Sequence, residues 1–305
     1  MQEDKIKLIY IASNGRSGST LLDLLLGCHP KIWTLGEFQI LPWEIMTPRQ
    51  TCGCGLNVKE CPFWCNIVQK FDDQLTEGSI HKFRESHGQG KVLRNSELFR
   101  ILMSQKSFLS HTNGFEGYGR ENARVMNEIK RKVQDKKPVE YLVDASKDPY
   151  RLYWLAMSGY FSIYAIHLTK DPRAFVYSMI KNNSSDTRKT VRMSLRYEVE
   201  NRIIDLVCKK APLKESMHIR YEDLASHPQD TMKAVYQKFG IDFSDYDPDN
   251  FRQAENHAIS GNQMRHRTDE ISLDEKWRRN MPKSTQKIVQ TITALAGRRY
   301  GYYKA

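Results

Sequence analysis

No stretch of the 305 residues is apolar for the length that a membrane helix needs, and no repeat or low-complexity tract interrupts the chain. The one internal run worth testing, Leu152 to Leu168, holds Gly159, two Ser and three Tyr between Arg151 and Lys170. A helix end, a Gly turn and a buried strand explain it better than a span. At the N-terminus, Ile6 to Ala12 is too short for a signal-peptide core. The expectation is a soluble, unexported, cytoplasmic chain. Glycine and proline are sparse, at 17 and 11 residues, which excludes a collagen-like chain. With 40% hydrophobic and 27% charged residues, the composition is that of a globular protein and not of a disordered one. There are six cysteines, expected as reduced thiols in an unexported chain. Acidic residues are in deficit: 36 Asp and Glu face 47 Lys and Arg, leaving a net charge of +11. Such an excess points to an anionic partner, whether nucleic acid, an anionic membrane, a polyanion or a phosphorylated cofactor.

Among the features present, Lys5 to Ala12 is a β-branched, apolar run and predicts a strand. Ser19 to Leu26 predicts a buried helix, stopped by Gly27 and His29-Pro30. Further strands are expected at Glu140 to Val143, Ser162 to Thr169 and Met217 to Arg220. Helices are expected at Tyr150 to Met157, Pro172 to Lys181, Thr190 to Lys209 and Gln229 to Phe239. This alternation implies an α/β fold with a parallel sheet and covering helices. Residues from about 45 to 138 break the alternation and read as a mainly helical insertion, so that residues 1–305 form one domain.

The strongest local signal is strand, then Gly15-Arg16-Ser17-Gly18-Ser19-Thr20, then helix. A helix start presents unpaired N–H groups and the positive end of its dipole, which cradle phosphate. A plain Gly-Ser turn with hydroxyl capping is the competing reading of these residues alone. The segment is not a Walker A loop, because Ser13 and Ser19 stand where that motif needs Gly and Lys.

At this point the sequence resembles the sulfotransferases that use 3′-phosphoadenosine-5′-phosphosulfate (PAPS). Arg16-Ser17-Gly18-Ser19-Thr20 matches their first signature at every position. His167-Leu168-Thr169-Lys170-Asp171-Pro172-Arg173, followed by Ser178, is similar to their second, with Lys170 where Arg is usual. Gly261-Asn262-Gln263-Met264-Arg265 and the following Trp277 resemble a loop of bacterial members. Tyr221-Glu222-Asp223-Leu224 resembles a segment whose Tyr approaches the cofactor, although a core tyrosine explains it equally. The resemblance covers Lys5 to about Ile40 and Glu140 to Pro282. It implies a P-loop-like central parallel sheet with helices on both faces. It also implies binding of the 5′-phosphate by the amides of Ser17, Gly18, Ser19 and Thr20, with Arg16 neutralising the leaving group. The 3′-phosphate would fall to Lys170, Ser178 and Arg265, and Tyr221 would lie near the nucleotide. Gly36-Glu37 and Lys147-Asp148-Pro149 resemble segments of protein-tyrosine sulfotransferases, which makes Glu37 the expected base and Lys147 an electrostatic group. Asp144 is held as a reserve base, and Asp148 is expected to start a helix.

Cys52, Cys54, Cys61 and Cys65 fall in one short segment. Four thiolates match the count of a tetrahedral zinc site, but Cys-x-Cys is an unusual opening. Reduced structural cysteines rank ahead of a disulfide, and zinc comes third, so no metal is expected. His81, His87 and His111 lack metal-motif spacing and read as surface or lid positions. The sequons at Asn182-Asn183-Ser184-Ser185 carry no meaning in an unexported chain. Taken together, the sequence predicts PAPS-dependent sulfuryl transfer to a hydroxyl or amine, with a small metabolite or carbohydrate as the favoured acceptor. A protein-tyrosine acceptor is the alternative within that class. The rivals from other classes are a P-loop nucleotide kinase and a basic nucleic-acid-binding protein. The first lacks the Walker Lys, and the second lacks a basic tract with interleaved aromatics, so no nucleic-acid partner is expected.

Overall fold

Five short strands, each feeding a helix or a functional loop, set the frame of the molecule. The computed structural model describes residues 5–46, 50–76, 112–180, 186–248, 251, 255–262, 265 and 270–304. In chain order they form β1 (Ile6–Ser13), α1 (Ser19–Gly27), β2 (Ile32–Thr34), a 3₁₀ turn (Phe38–Ile40), α2 (Leu41–Met46), α3 (Cys65–Thr76) and α4 (Thr112–Gln134). Next come β3 (Tyr141–Lys147), α5 (Pro149–Met157), β4 (Phe161–Thr169), α6 (Pro172–Ile180), α7 (Thr187–Lys210) and β5 (Glu215–Arg220). The C-terminal part adds α8 (Tyr221–Ser226), α9 (Pro228–Phe239), α10 (Lys276–Asn280), α11 (Lys283–Ile292) and α12 (Ala294–Arg299).

The sheet order is β2-β3-β1-β4-β5, and every pairing is parallel. Parallel strands need covered faces, which is why β1 is apolar for most of its length. Leu8, Tyr10 and Ala12 pack into one core with Leu152, Trp154 and Ile204, while Ile9 and Ile11 pack into another with Leu22, Leu25 and Val235. Helices α5 and α7 therefore cover one face, and α1 and α9 the other. A third cluster joins Phe175, Tyr197, Val289 and Ala296 from α6, α7, α11 and α12.

The expected strands and helices are all present, with ends shifted by a few residues. The Leu152–Leu168 run is α5, a turn at Gly159 with φ +84°, and β4. Among the described residues no helix is long and apolar enough to cross a membrane. Strand β2 was not expected, because three residues inside a connection give too short a pattern to read. Helices α3 and α4 fall in the expected helical insertion. His81, His87, His111, the segment Asn182–Ser185, and Gln263 and Met264 lie outside the described residues.

Candidate active site

In an open parallel sheet, ligand sites form beyond the carboxyl ends of the strands, near the point where strand order reverses. The sequence candidates follow that rule strand by strand. Arg16 stands three residues past β1 and Glu37 three past β2, while Lys147 ends β3. Lys170 and Tyr221 follow β4 and β5 directly. Together with Gly18, Ser19, Thr20 and Ser178 they line one open cleft of about 690 Å³. Its far rim is the 270–277 segment, including Glu270, Asp274 and Trp277.

The loop after β1 is shaped for an anion. Gly18 caps α1 in the left-handed region with φ +90°, and no side chain caps the helix. The Gly18 carbonyl accepts from the amides of Leu21 and Leu22, so the amides of Ser19 and Thr20 precede the first intrahelical bond. No acidic residue stands in this first turn to compete for its dipole. Glycine is required twice over at position 18. A Cβ there would lie 2.3 Å from the Tyr221 ring, and the backbone angle is strained for any other residue. Ser17 is fully buried, and its hydroxyl oxygen has no hydrogen-bond partner. Arg16, with φ +73°, is exposed at the loop's outer turn.

Lys170 is nine-tenths buried, with its ammonium 4.2 Å above the Tyr221 ring centroid. Burial lowers its pKa below the usual lysine value. Among the described residues no carboxylate lies within ion-pair distance of it. The Tyr197 hydroxyl donates to the Lys170 carbonyl at 2.7 Å, which fixes the turn between β4 and α6. Arg173 is committed elsewhere: it forks onto Asp171 at 2.9 and 2.6 Å and stacks 4.5 Å from the Trp277 ring. Ser178 donates its hydroxyl hydrogen to the Phe175 carbonyl at 2.7 Å and keeps the oxygen on the cleft wall.

On the other side of the loop, Glu37 Oε1 and Lys147 Nζ form an ion pair at 2.5 Å. The Glu37 amide donates to the Ile259 carbonyl at 2.8 Å, and the Ile259 amide donates to Leu35 at 2.9 Å. Gly36, with φ +67°, permits this approach, because a Cβ would sit 2.4 Å from the Ile259 carbonyl oxygen. Lys147 reaches Glu37 from a left-handed backbone turn, φ +67°. Asp148 caps α5 by accepting from the Tyr150 amide at 3.0 Å, as expected for a helix start.

Two placements differ from the sequence reading. Asp144 is not available as a base: fully buried, it accepts from Arg151 Nε at 2.8 Å and from the Ser146 amide at 2.9 Å. Arg265 does not share a wall with Lys170 and Ser178. Its guanidinium donates to the carbonyls of Ser260, Ala258 and Thr51, and it lines a smaller pocket beside Glu37, Lys147 and Asp23. Folding brings the carbonyls of residues 51, 258 and 260 to the guanidinium, a convergence that the loop sequence does not display.

Asp23 is the residue that the sequence reading passed over. It interrupts the apolar run of α1 between Leu22 and Leu24, and that interruption is its signal. Burial pushes its carboxyl up to about 8, against the opposing pull of Lys147. The folded state thus binds a proton that the unfolded chain releases near the ordinary value of 3.8. Stability from this group is full below that value and is lost as pH rises toward about 8. Asp23→Asn removes the dependence. In denaturant melts, its stability relative to the parent should rise by several kcal/mol between about pH 4 and pH 8, at ~1.4 kcal/mol per unit. Parallel curves for the two proteins would show that Asp23 is already ionised at the lower pH.

The fold is shared with solved proteins. In overall structure the chain is similar to the sulfotransferase domain from the Synechococcus PCC 7002 olefin synthase, with a TM-score of 0.55 at 18% identity. That match covers 99% of this chain and 98% of the other. A sulfotransferase domain from the curacin biosynthetic pathway gives 0.53 at 16% identity, over 94% and 98% of the two chains. At these identities the likeness is one of fold. No curated protein matches the chain in sequence. Residues 81–245, just over half of the chain, match the family described as the sulfotransferase family. That span holds Lys147, Lys170, Ser178 and Tyr221, while the phosphate loop and Glu37 precede it. The chain belongs to the sulfotransferase family.

Proposed function

We propose that the protein transfers the sulfuryl group of PAPS to a hydroxyl or amine of a small metabolite or carbohydrate, by in-line displacement at sulfur. The observation that carries this reading is the single cleft in which a bare helix N-terminus, the buried Lys170 and the Glu37–Lys147 pair meet. A nucleotide with two separated phosphate positions fits that arrangement: an uncapped set of amides lies on one side, and on the other a buried amine with no carboxylate at ion-pair distance among the described residues. PAPS supplies the activated sulfuryl group and departs as 3′-phosphoadenosine-5′-phosphate.

The protein's part is binding, orientation and proton removal. The amides from Ser17 to Thr20 hold the 5′-phosphate, and Arg16 offsets its charge. Lys170 and Ser178 hold the 3′-phosphate, with Tyr221 packed under the amine. Lys147 places positive charge beside the reacting centre, and Glu37 accepts the proton of the attacking group. None of these roles calls on a metal. The chain acts as one domain that carries residues from about 45 to 138 as an insertion.

Calorimetric titration with 3′-phosphoadenosine-5′-phosphate tests the reading. The expected dissociation constant is on the order of micromolar or tighter, about −8 kcal/mol. No binding in that range, with ATP or DNA binding instead, would sink the proposal. A screen of acceptors with labelled PAPS then identifies the class of acceptor.

A further inference from the structure

Away from the cleft, three cysteines of one short segment meet a histidine from far along the chain. The Sγ atoms of Cys52, Cys54 and Cys61 and a ring nitrogen of His257 all lie within 4.8 Å of one another. Cys61 Sγ is 3.6 Å from both Cys52 Sγ and Cys54 Sγ. His257 Nδ1 is 3.2 Å from Cys61 Sγ and 3.6 Å from Cys52 Sγ. A tetrahedron with Zn–S near 2.3 Å and Zn–N near 2.0–2.1 Å has edges of ~3.8 Å between sulfurs and ~3.5 Å from sulfur to nitrogen. The observed separations follow those edges. They are far too long for a disulfide, whose sulfurs lie ~2.05 Å apart.

The surroundings hold the ligand set in place. His257 presents Nδ1 to the thiols, while Nε2 lies 3.2 Å from Glu255 Oε1, a carboxylate–histidine arrangement typical behind metal-bound imidazole. The imidazole stacks on the Phe63 ring at 4.9 Å and 11°, and the Trp64 indole donates to the His257 carbonyl at 2.7 Å. The Gly53 amide donates to the Ala258 carbonyl at 3.0 Å, and the Gly55 amide closes a turn onto Cys52 at 2.9 Å. Cys65, the fourth cysteine of the sequence cluster, is not among the four. Its sulfur faces the Pro62 carbonyl and the Asn66 side chain.

We propose that Cys52, Cys54, Cys61 and His257 bind one structural zinc ion. Three thiolates and an imidazole in a closed tetrahedral set are the ligand class of structural Zn²⁺. The ion would join the 52–61 turn to the 255–262 segment. That segment fixes Glu37 through Ile259, and its Gly261 and Asn262 line the cleft, with the Asn262 amide donating to Thr20 Oγ1 at 3.1 Å. The metal therefore holds a wall of the active site without touching the reaction. This reverses the ranking drawn from the sequence, in which zinc came third and Cys65 took the place that belongs to His257.

The test is elemental analysis of the full-length protein, purified without an immobilised-metal step. One zinc per chain is expected, retained on dialysis and removed by a strong chelator with a fall in melting temperature. Replacement by cobalt(II) should give thiolate-to-cobalt charge transfer and tetrahedral ligand-field bands. Cys61→Ser should lose the metal and Cys65→Ser should keep it. His257→Cys, which restores a ligand, should retain metal that His257→Ala loses. The last three variants decide the matter even if Cys61→Ser fails to fold. Absence of stoichiometric zinc, iron in its place, a Cys52–Cys61 disulfide or loss of metal in Cys65→Ser would overturn the proposal.

Discussion

Glu37→Gln is expected to lower turnover by about 10²–10⁴-fold while leaving the affinity for 3′-phosphoadenosine-5′-phosphate within roughly threefold. Glutamine keeps the size of the side chain and its capacity to accept a hydrogen bond from Lys147, but it has no basicity to offer the attacking hydroxyl or amine. The backbone at this position is held by Ile259 and not by the side chain, so the loop should keep its place in the variant. Neither the amides of α1 nor Lys170 bonds to the Glu37 side chain, which is why nucleotide affinity should be spared. Single-turnover kinetics alongside calorimetry separate the two quantities. Unchanged turnover would mean that another group removes the proton. Asp144 is a poor substitute, because its carboxylate is committed to Arg151 and the Ser146 amide. Loss of turnover and affinity together would mean that Glu37 organises the cleft instead of acting as its base.

Lys170→Ala is expected to act in the opposite way, on binding more than on chemistry. Truncating one member of a buried charge pair costs about 2–5 kcal/mol, or roughly 30- to 5,000-fold in dissociation constant. That range applies here because Lys170 is buried against Tyr221 and, among the described residues, has no carboxylate within ion-pair distance. Turnover at saturating PAPS should change far less, since the 3′-phosphate proposed for the amine is remote from the sulfur. Lys170→Arg should recover most of the affinity, because a guanidinium offers a bidentate fork to the same oxygens. Calorimetric titration of the three proteins measures the series. Parental affinity in Lys170→Ala would remove the lysine from the phosphate site.

Much of the frame could be read from the chain itself, for a physical reason. Strands buried on both faces are apolar for most of their length, and β1, β4 and the first half of β3 announce themselves in that way. The helix start after β1 is legible because Gly and Ser at a strand end leave amides bare. What escaped the sequence was set by contacts between distant segments. Strand β2 exists because Lys31 and its neighbours dock on β3, and three residues cannot signal that alone. Asp23 looked like a passenger in an apolar helix, since its burial depends on the walls around α1. Arg265 looked like a phosphate ligand, yet it is occupied by carbonyls brought to it by folding. Cys65 is close to Cys61 in sequence and apart from it in space, whereas His257 is the reverse. Local spacing carries no trace of that exchange.

The main-chain link between Glu37 and Ile259 also bears on how the protein is made. Ile259 leaves the ribosome 222 positions after the residue that it anchors. A nascent chain therefore carries the residues from Gly15 to Glu37 long before the carbonyl that fixes the Glu37 amide has been made. Gly18 likewise packs against Tyr221, so neither the loop after β1 nor Gly36-Glu37 has its final packing until the last third of the chain has been delivered.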